Sequence, residues 1–207
     1  MIRSLVPFSA LSLALALAAC STGADKTDAP LPDGAWQLAA EQSNVGFVSI
    51  KAGNVGEAHS FRKLSGSVEP DGTVGVAIDL ASVDTGIDVR DQRMREMLFE
   101  VANFPDAKLK AKIDPNAIKA LKPGERKMMT VPVTLDLHGT TNSIEAPLTV
   151  TRLAGDSVLV ETSKPLVIDA SAVGLEAGVG KLQEVAKLPA ISTAVPVTAS
   201  LLFKPKA

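Results

Sequence analysis

Apolar and polar residues alternate along much of this chain, and a period of two places apolar side chains on one face of an extended strand. Val74, Val76, Ile78 and Leu80 alternate with Gly75, Ala77 and Asp79, and Val131, Val133, Leu135 and Leu137 alternate with Pro132, Thr134, Asp136 and His138. The same pattern runs through Ile144, Ala146, Leu148 and Val150, and again through Val195, Val197, Ala199, Leu201 and Phe203. Segments 36–40, 44–51, 55–69, 107–113 and 157–168 are rich in Val, Ile, Thr and Phe, which suit a pleated surface. Asp71-Gly72 predicts a hairpin turn between two of these strands. Pro132, Pro147, Pro165 and Pro196 read as edge or strand-entry positions, because proline donates nothing to a ladder.

Two stretches carry helical spacing instead. In 91–100, Met94, Met97, Leu98 and Val101 share a face, Asp91 is placed to cap, and Pro105 stops continuation. In 178–188, Val179, Leu182, Val185 and Ala186 form a second stripe that ends at Pro189, and 115–121 predicts one further turn. About eight antiparallel strands with two short helices give a mainly β domain, either a sandwich or a closed barrel without edges. A barrel of that size is either filled by its own side chains or holds one ligand, and alternation looks the same in both cases.

The N-terminus follows a different pattern. A positive charge at Arg3 precedes a short apolar run from Leu5 to Ala19 that ends in Leu17-Ala18-Ala19-Cys20. A bilayer core needs about 20 apolar residues, so this run reads as a secretory signal over 1–19 rather than a span. The small residues before Cys20 resemble a bacterial lipobox, in which the cysteine sulfur receives acyl chains such as palmitate. The chain has one cysteine, and it sits at the place the motif requires. An exported chain with one cysteine forms no internal disulfide. Ser21, rather than an aspartate, favours the periplasmic face of the outer membrane. From Ser21 to Ala35 the chain is Ser, Thr, Gly, Ala, Asp, Lys and Pro with one leucine, so residues 20–35 are expected to be a flexible acylated tether. The folded domain is expected over 36–207.

Removing 1–19 leaves 207 − 19 = 188 residues and a charge balance of 20 − 23 = −3. That is one domain's length. Basic residues do not cluster as a nucleic-acid footprint requires, and at 3% aromatic with no tyrosine the chain cannot build a base-stacking surface.

Four blocks carry a family resemblance: Trp36-Gln37-Leu38 with Ser43-Asn44-Val45-Gly46-Phe47; His59-Ser60-Phe61-Arg62-Lys63-Leu64-Ser65-Gly66; Ser82-Val83-Asp84-Thr85, continuing through Arg90-Asp91 to Leu98-Phe99 and Phe104-Pro105-Asp106-Ala107; and Leu137-His138-Gly139-Thr140-Thr141. Together they resemble the YceI-like family of lipid- or polyisoprenoid-binding proteins over about 36 to 204. The resemblance implies a lipocalin-like, antiparallel eight-stranded β-barrel with one or two short helices and an elongated apolar cavity. It implies an isoprenoid-type lipid ligand, polyprenyl phosphate or quinone, in a periplasmic protein, with a homodimer as a further option. The chain departs from the family's pattern at Ser43-Asn44, near which many members carry a histidine, and in the long helical piece between Gly174 and Pro189.

On that fold the inward apolar candidates for lipid contact are Phe47, Phe61, Val76, Ile78, Val133, Leu135, Leu148, Val197 and Leu201. Met94 and Met97 join them as core packing or as a deformable cap over the cavity mouth. Arg90 and Arg93 are head-group candidates, because guanidinium matches phosphate oxygens in a bidentate manner. Interleaved with Arg95 among Asp88, Asp91 and Glu96, they otherwise suit surface ion pairs. Candidate chemistry is thin. Glu57 and His59 share a strand face, and with His138 they would make a two-histidine, one-carboxylate metal site for a hydrolase. The plainer reading makes His59 a surface or rim residue and His138 a turn residue beside Gly139. No Gly-x-Ser-x-Gly elbow occurs, Gly178-Val179-Gly180-Lys181 lacks Walker spacing, and no metal or cofactor is expected. A third reading is an envelope protein whose barrel is filled and binds nothing.

Overall fold

The computed structural model describes residues 29–206. The signal segment 1–19 and Cys20 lie outside the described residues. Twelve strands form one antiparallel sheet: β1 Trp36–Leu38, β2 Asn44–Lys51, β3 Val55–Phe61, β4 Leu64–Val68, β5 Thr73–Asp79, β6 Val83–Asp84, β7 Asp106–Lys112, β8 Arg126–Leu137, β9 Thr140–Arg152, β10 Val158–Thr162, β11 Leu166–Asp169 and β12 Ala194–Pro205. The pairing order β1-β4-β5-β7-β8-β9-β10-β12 returns to β1, with Trp36 opposite Pro205, and so closes an eight-stranded barrel.

The remaining strands are continuations of ring strands across a break. β1 and β2 both pair with β12, β3 and β4 pair with β2 and β1, and β6 continues β5 against β3. β11 likewise continues β10 along β12. The molecule is therefore an up-and-down meander of eight long strands, four of them broken.

Each break has its own hydrogen-bond solution. Between β1 and β2 the chain inserts a 3₁₀ turn, Ala40–Gln42. Opposite it, Leu202 keeps both backbone groups satisfied, accepting from Ala39 N at 2.8 Å and donating to Ser43 Oγ at 3.0 Å. Between β5 and β6 lies the 3₁₀ turn Leu80–Ser82, capped by Asp79, whose Oδ1 accepts from Ala81 N at 2.9 Å. Segment 55–69, expected as one strand, is divided at Arg62-Lys63, where Arg62 N donates to Ser82 O and Lys63 N to Ser82 Oγ. Segment 157–168 is divided just before Pro165.

Two prolines correct the strand-entry expectation while keeping to a local edge. Pro132 and Pro147 sit mid-strand, opposite Glu145 and Thr130 in the long β8–β9 hairpin. Both are tolerated because the ladder on their other side has ended: β7 pairs β8 only from Val133, and β10 pairs β9 only as far as Leu148. The hairpin turns through His138 and Gly139, with φ of +51° and +74°, the two positive values a two-residue type I′ loop requires.

Two helices, Asp88–Arg93 (α1) and Glu176–Val185 (α3), cap one end, and a third, Asn116–Lys119 (α2), lies at the other. α1 runs into a π-turn, Met94–Leu98, in which Phe99 N reaches Met94 O at 2.9 Å. The N-cap of α1 is Ile87, not Asp91. Asp91 instead lies buried inside the helix, where its Oδ1 accepts from Thr85 N and Thr85 Oγ1 at 2.9 and 2.5 Å. α3 packs on the π-turn through Gly178, where an added Cβ would lie 2.8 Å from both Leu98 Cα and Met97 O. Among the described residues no helix is long and apolar enough to cross a membrane.

Residues 29–34, expected as part of the flexible tether, lie against the barrel, and residues 20–28 are outside the described residues. Leu31, the tether's one leucine, is 3% exposed and packs with Ile118, Leu121, Val150 and Val158. A single large apolar side chain in a polar run does not alter composition, yet it is enough to seat the backbone on the barrel.

Candidate functional site: the cavity inside the barrel

The inward faces of the ring strands do not meet. They enclose a cavity of about 350 Å³, within the range of about 300–1,000 Å³ usual for small-molecule sites. Its wall is built from alternate strand residues, so period two in the sequence becomes an apolar surface in space. Nine of the eleven apolar candidates line it: Phe47, Phe61, Val76, Ile78, Val133, Leu135, Leu148, Val197 and Leu201. Met94 and Met97 are not on the wall. Met94 is buried in the main core, whose members include Leu98, and Met97 lies in the π-turn against α3, so the two form backing rather than a cap. Sequence reasoning missed Leu31, Ile118 and Val179, which line the cavity from outside the strands.

The ends of the cavity differ in chemistry. The helical end is lined by Leu98, Phe99, Leu175 and Val179. Phe47, Phe61 and Phe99 form a tilted series there, with ring centroids 5.4 and 5.9 Å apart. At the other end the lining includes Gly34, Glu69, Pro70, Lys110 and Lys119, most of them exposed. The charged lining residues, Glu69, Lys110 and Lys119, all lie at this end.

Behind the aromatic series is a closed polar cluster. His59 is 7% exposed, which corrects its reading as a surface or rim residue. Its ring lies 5.1 Å from that of Phe47, and Nε2 bonds Ser49 Oγ at 2.8 Å. Nδ1 is buried without a partner, so the form that fits has its proton on Nε2 and donates to Ser49. Burial first, then the Arg90 charge, pushes the His59 pKa down and holds the ring neutral. Glu57 accepts from Arg90 Nη1 at 2.6 Å and pairs with Lys51 at 2.9 Å. The Lys51 bond, assisted by Arg90 against the opposing effect of burial, keeps its carboxyl below the usual range.

Arg90 is thereby committed, since Nε and Nη2 go to Thr85 Oγ1 and O, each at 2.8 Å. Neither Arg90 nor Arg93 is on the cavity wall. The expected surface pairing around α1 is also revised: Arg90 turns to Glu57 and Asp91 to Thr85. His138 stands apart from Glu57 and His59, its ring 4.3 Å from that of Phe104 and its Nε2 3.7 Å from Glu100. The three residues do not converge on a metal, and among the described residues no cluster of His, Cys, Asp and Glu does.

An antiparallel eight-stranded barrel around one apolar cavity, with charged residues at one rim, defines a lipocalin-like calyx. The model of the YceI-like domain matches residues 36–203, and the chain belongs to that family. Among solved structures it is similar to a polyisoprenoid-binding domain from Saccharophagus degradans implicated in plant cell wall breakdown, at 41% identity and a TM-score of 0.82, over 84% of this chain and 100% of that one. Burkholderia cenocepacia BcnA shares the fold at 20% identity and a TM-score of 0.59, over 80% of this chain and 98% of that one. No curated protein sequence matches the chain.

Proposed function

We propose that this protein is a lipid-binding envelope lipoprotein that holds the chain of an isoprenoid-type lipid in its barrel, for sequestration or transfer across the periplasm. The observation that carries the reading is the cavity itself: about 350 Å³, walled by apolar side chains from every ring strand. Each methylene moved from water into such a wall gains about 0.8 kcal/mol, which is the barrier that keeps long lipids from crossing water unaided. The polyisoprenoid-binding relative at 41% identity supports an isoprenoid over a straight acyl chain. The lipobox-like Leu17-Ala18-Ala19-Cys20 supports acylation at Cys20 and a station on the periplasmic face, with Ser21 favouring the outer membrane.

The ligand's polar head stays at the rim near Glu69 and Lys119, with the tail directed toward Phe47, Phe61 and Phe99. The helical end supports no charged head, because Arg90 and Lys51 are already paired with Glu57 and His59 is neutral. We read the protein as a binder rather than an enzyme, since nucleophile, base and metal ligands do not assemble on the wall. The test is equilibrium binding of tail-matched polyprenyl quinone and polyprenyl diphosphate to lipid-free chain. Saturable uptake of either at one per barrel is expected. Uptake of neither contradicts the reading.

A further inference from the structure

The charged end of the cavity is crossed by residues 29–34, which form no strand and enter β1 at Trp36. Leu31 lines this end of the cavity beside Ile118: it is 3% exposed and packs with Ile118 and Leu121. Two cationic side chains pin the segment on either side of that leucine. Arg152, whose side chain is 3% exposed, donates Nη2 to Ala29 O at 2.5 Å and Nη1 to Leu121 O at 2.9 Å. Lys119 pairs with Asp33. Gly34 follows, exposed and at φ +120°, a backbone state open to glycine and strained for other residues. Downstream the chain is fixed by Lys206 N, which donates to Ala35 O at 2.9 Å, and by the β1 ladder.

A segment held by one apolar side chain and two side-chain pins, beside a glycine, opens at far lower cost than the ladders around it. We propose that residues 29–34 are a strap gating this end of the cavity, hinged at Gly34, in which Leu31 occupies the position an entering lipid chain takes. The strap and the incoming lipid therefore compete for one apolar pocket. This rests on the lipid-binding reading above and adds the route of entry. Cys20 lies 29 − 20 = 9 residues upstream, a reach of at most about 30 Å. An acyl anchor there would hold the gated end beside the membrane, and pull on the strap would act on Leu31 directly.

The test uses the full mature chain carrying Leu31→Cys and Ile118→Cys, closed with a short thiol-specific crosslinker or left reduced. The readout is the transfer rate of a fluorescent polyprenyl lipid from donor vesicles. The closed form is expected to load at least about tenfold more slowly than the reduced form, while Leu31→Ala loads about tenfold faster than wild type. Lys119→Ala, which removes one pin and no apolar packing, is expected to give a smaller acceleration of about threefold. Equal rates for closed and reduced forms, with normal loading in both, would place entry elsewhere and overturn the gate while leaving lipid binding intact. No loading by wild type or by the reduced form would overturn both.

Discussion

The two ends of the barrel are closed by opposite means. The helical end is shut by packing without slack. Gly178 brings α3 against the π-turn so closely that a single methyl would collide with backbone, and Leu98, Phe99, Leu175 and Val179 are fixed over the cavity. The strap end is shut by one leucine and two cationic pins on a segment without ladder bonds. One end is built to stay closed and the other can open without disturbing the sheet. The proposed uptake and release of a long lipid would use this asymmetry: a stop at the tail end and a reversible closure at the rim.

The largest expected effect breaks the feature both ends share, the empty space between them. Leu135→Trp puts a large side chain into the cavity from β8. Because about 350 Å³ is available to receive it, the fold should survive with a melting temperature within about 5 °C of wild type. Lipid occupancy, measured by extraction and mass spectrometry, should drop at least about tenfold. Gly178→Ala attacks the helical end alone. The added Cβ must push α3 off the π-turn, and overpacking of this kind costs about 1–3 kcal/mol, seen as an earlier denaturant midpoint. Arg152→Met attacks the strap end. It leaves the carbonyls of Leu121 and Ala29 without their donor, a loss of about 1–3 kcal/mol. Its distinguishing sign is faster limited proteolysis within 29–35 while the β-sheet signal is unchanged.

The smallest effect concerns the polar cluster behind Phe47. His59 has its pKa depressed by burial, so the unfolded chain takes up a proton that the folded one refuses. Stability is then level above about 6.5, the ordinary histidine value, and declines as pH falls below it. Between about 6.5 and 5.5 the carboxylates stay largely ionised in the folded and unfolded chain, and comparison with His59→Gln separates the His59 contribution from that of other groups. Urea denaturation across that window should show a shallower slope for His59→Gln than for wild type. Equal slopes would mean the ring is not held neutral.

Much of the ring was legible in the sequence because period-two alternation is a direct image of a wall with one apolar side. Val76 and Ile78 on β5, Val133 and Leu135 on β8 and Leu201 on β12 could be assigned to the interior from spacing alone. Whether that interior was full or hollow could not, since an inward valine has the same pattern against a neighbour as against empty space. The strand breaks were also hidden. Arg62-Lys63 divides β3 from β4 through bonds to Ser82, a partner fixed only when the sheet closes. His59 was misplaced for a related reason: the charged Glu57 shares its face of β3, while its ring packs against Phe47 on the adjacent strand. Leu31 and Arg152 escaped because each looks ordinary locally, a lone leucine in a polar run and a charge at a strand end. Their meaning arises from a contact spanning 123 residues, Ala29 to Arg152.

The most direct test of the account is native mass spectrometry of the full-length protein purified from cells that express it, with lipid extraction from the same sample. The account predicts one bound species per chain, with a mass ladder spaced by isoprene units, that disappears in Leu135→Trp. A clean lipid-free mass that persists after polyprenyl quinone and polyprenyl diphosphate are offered would contradict it.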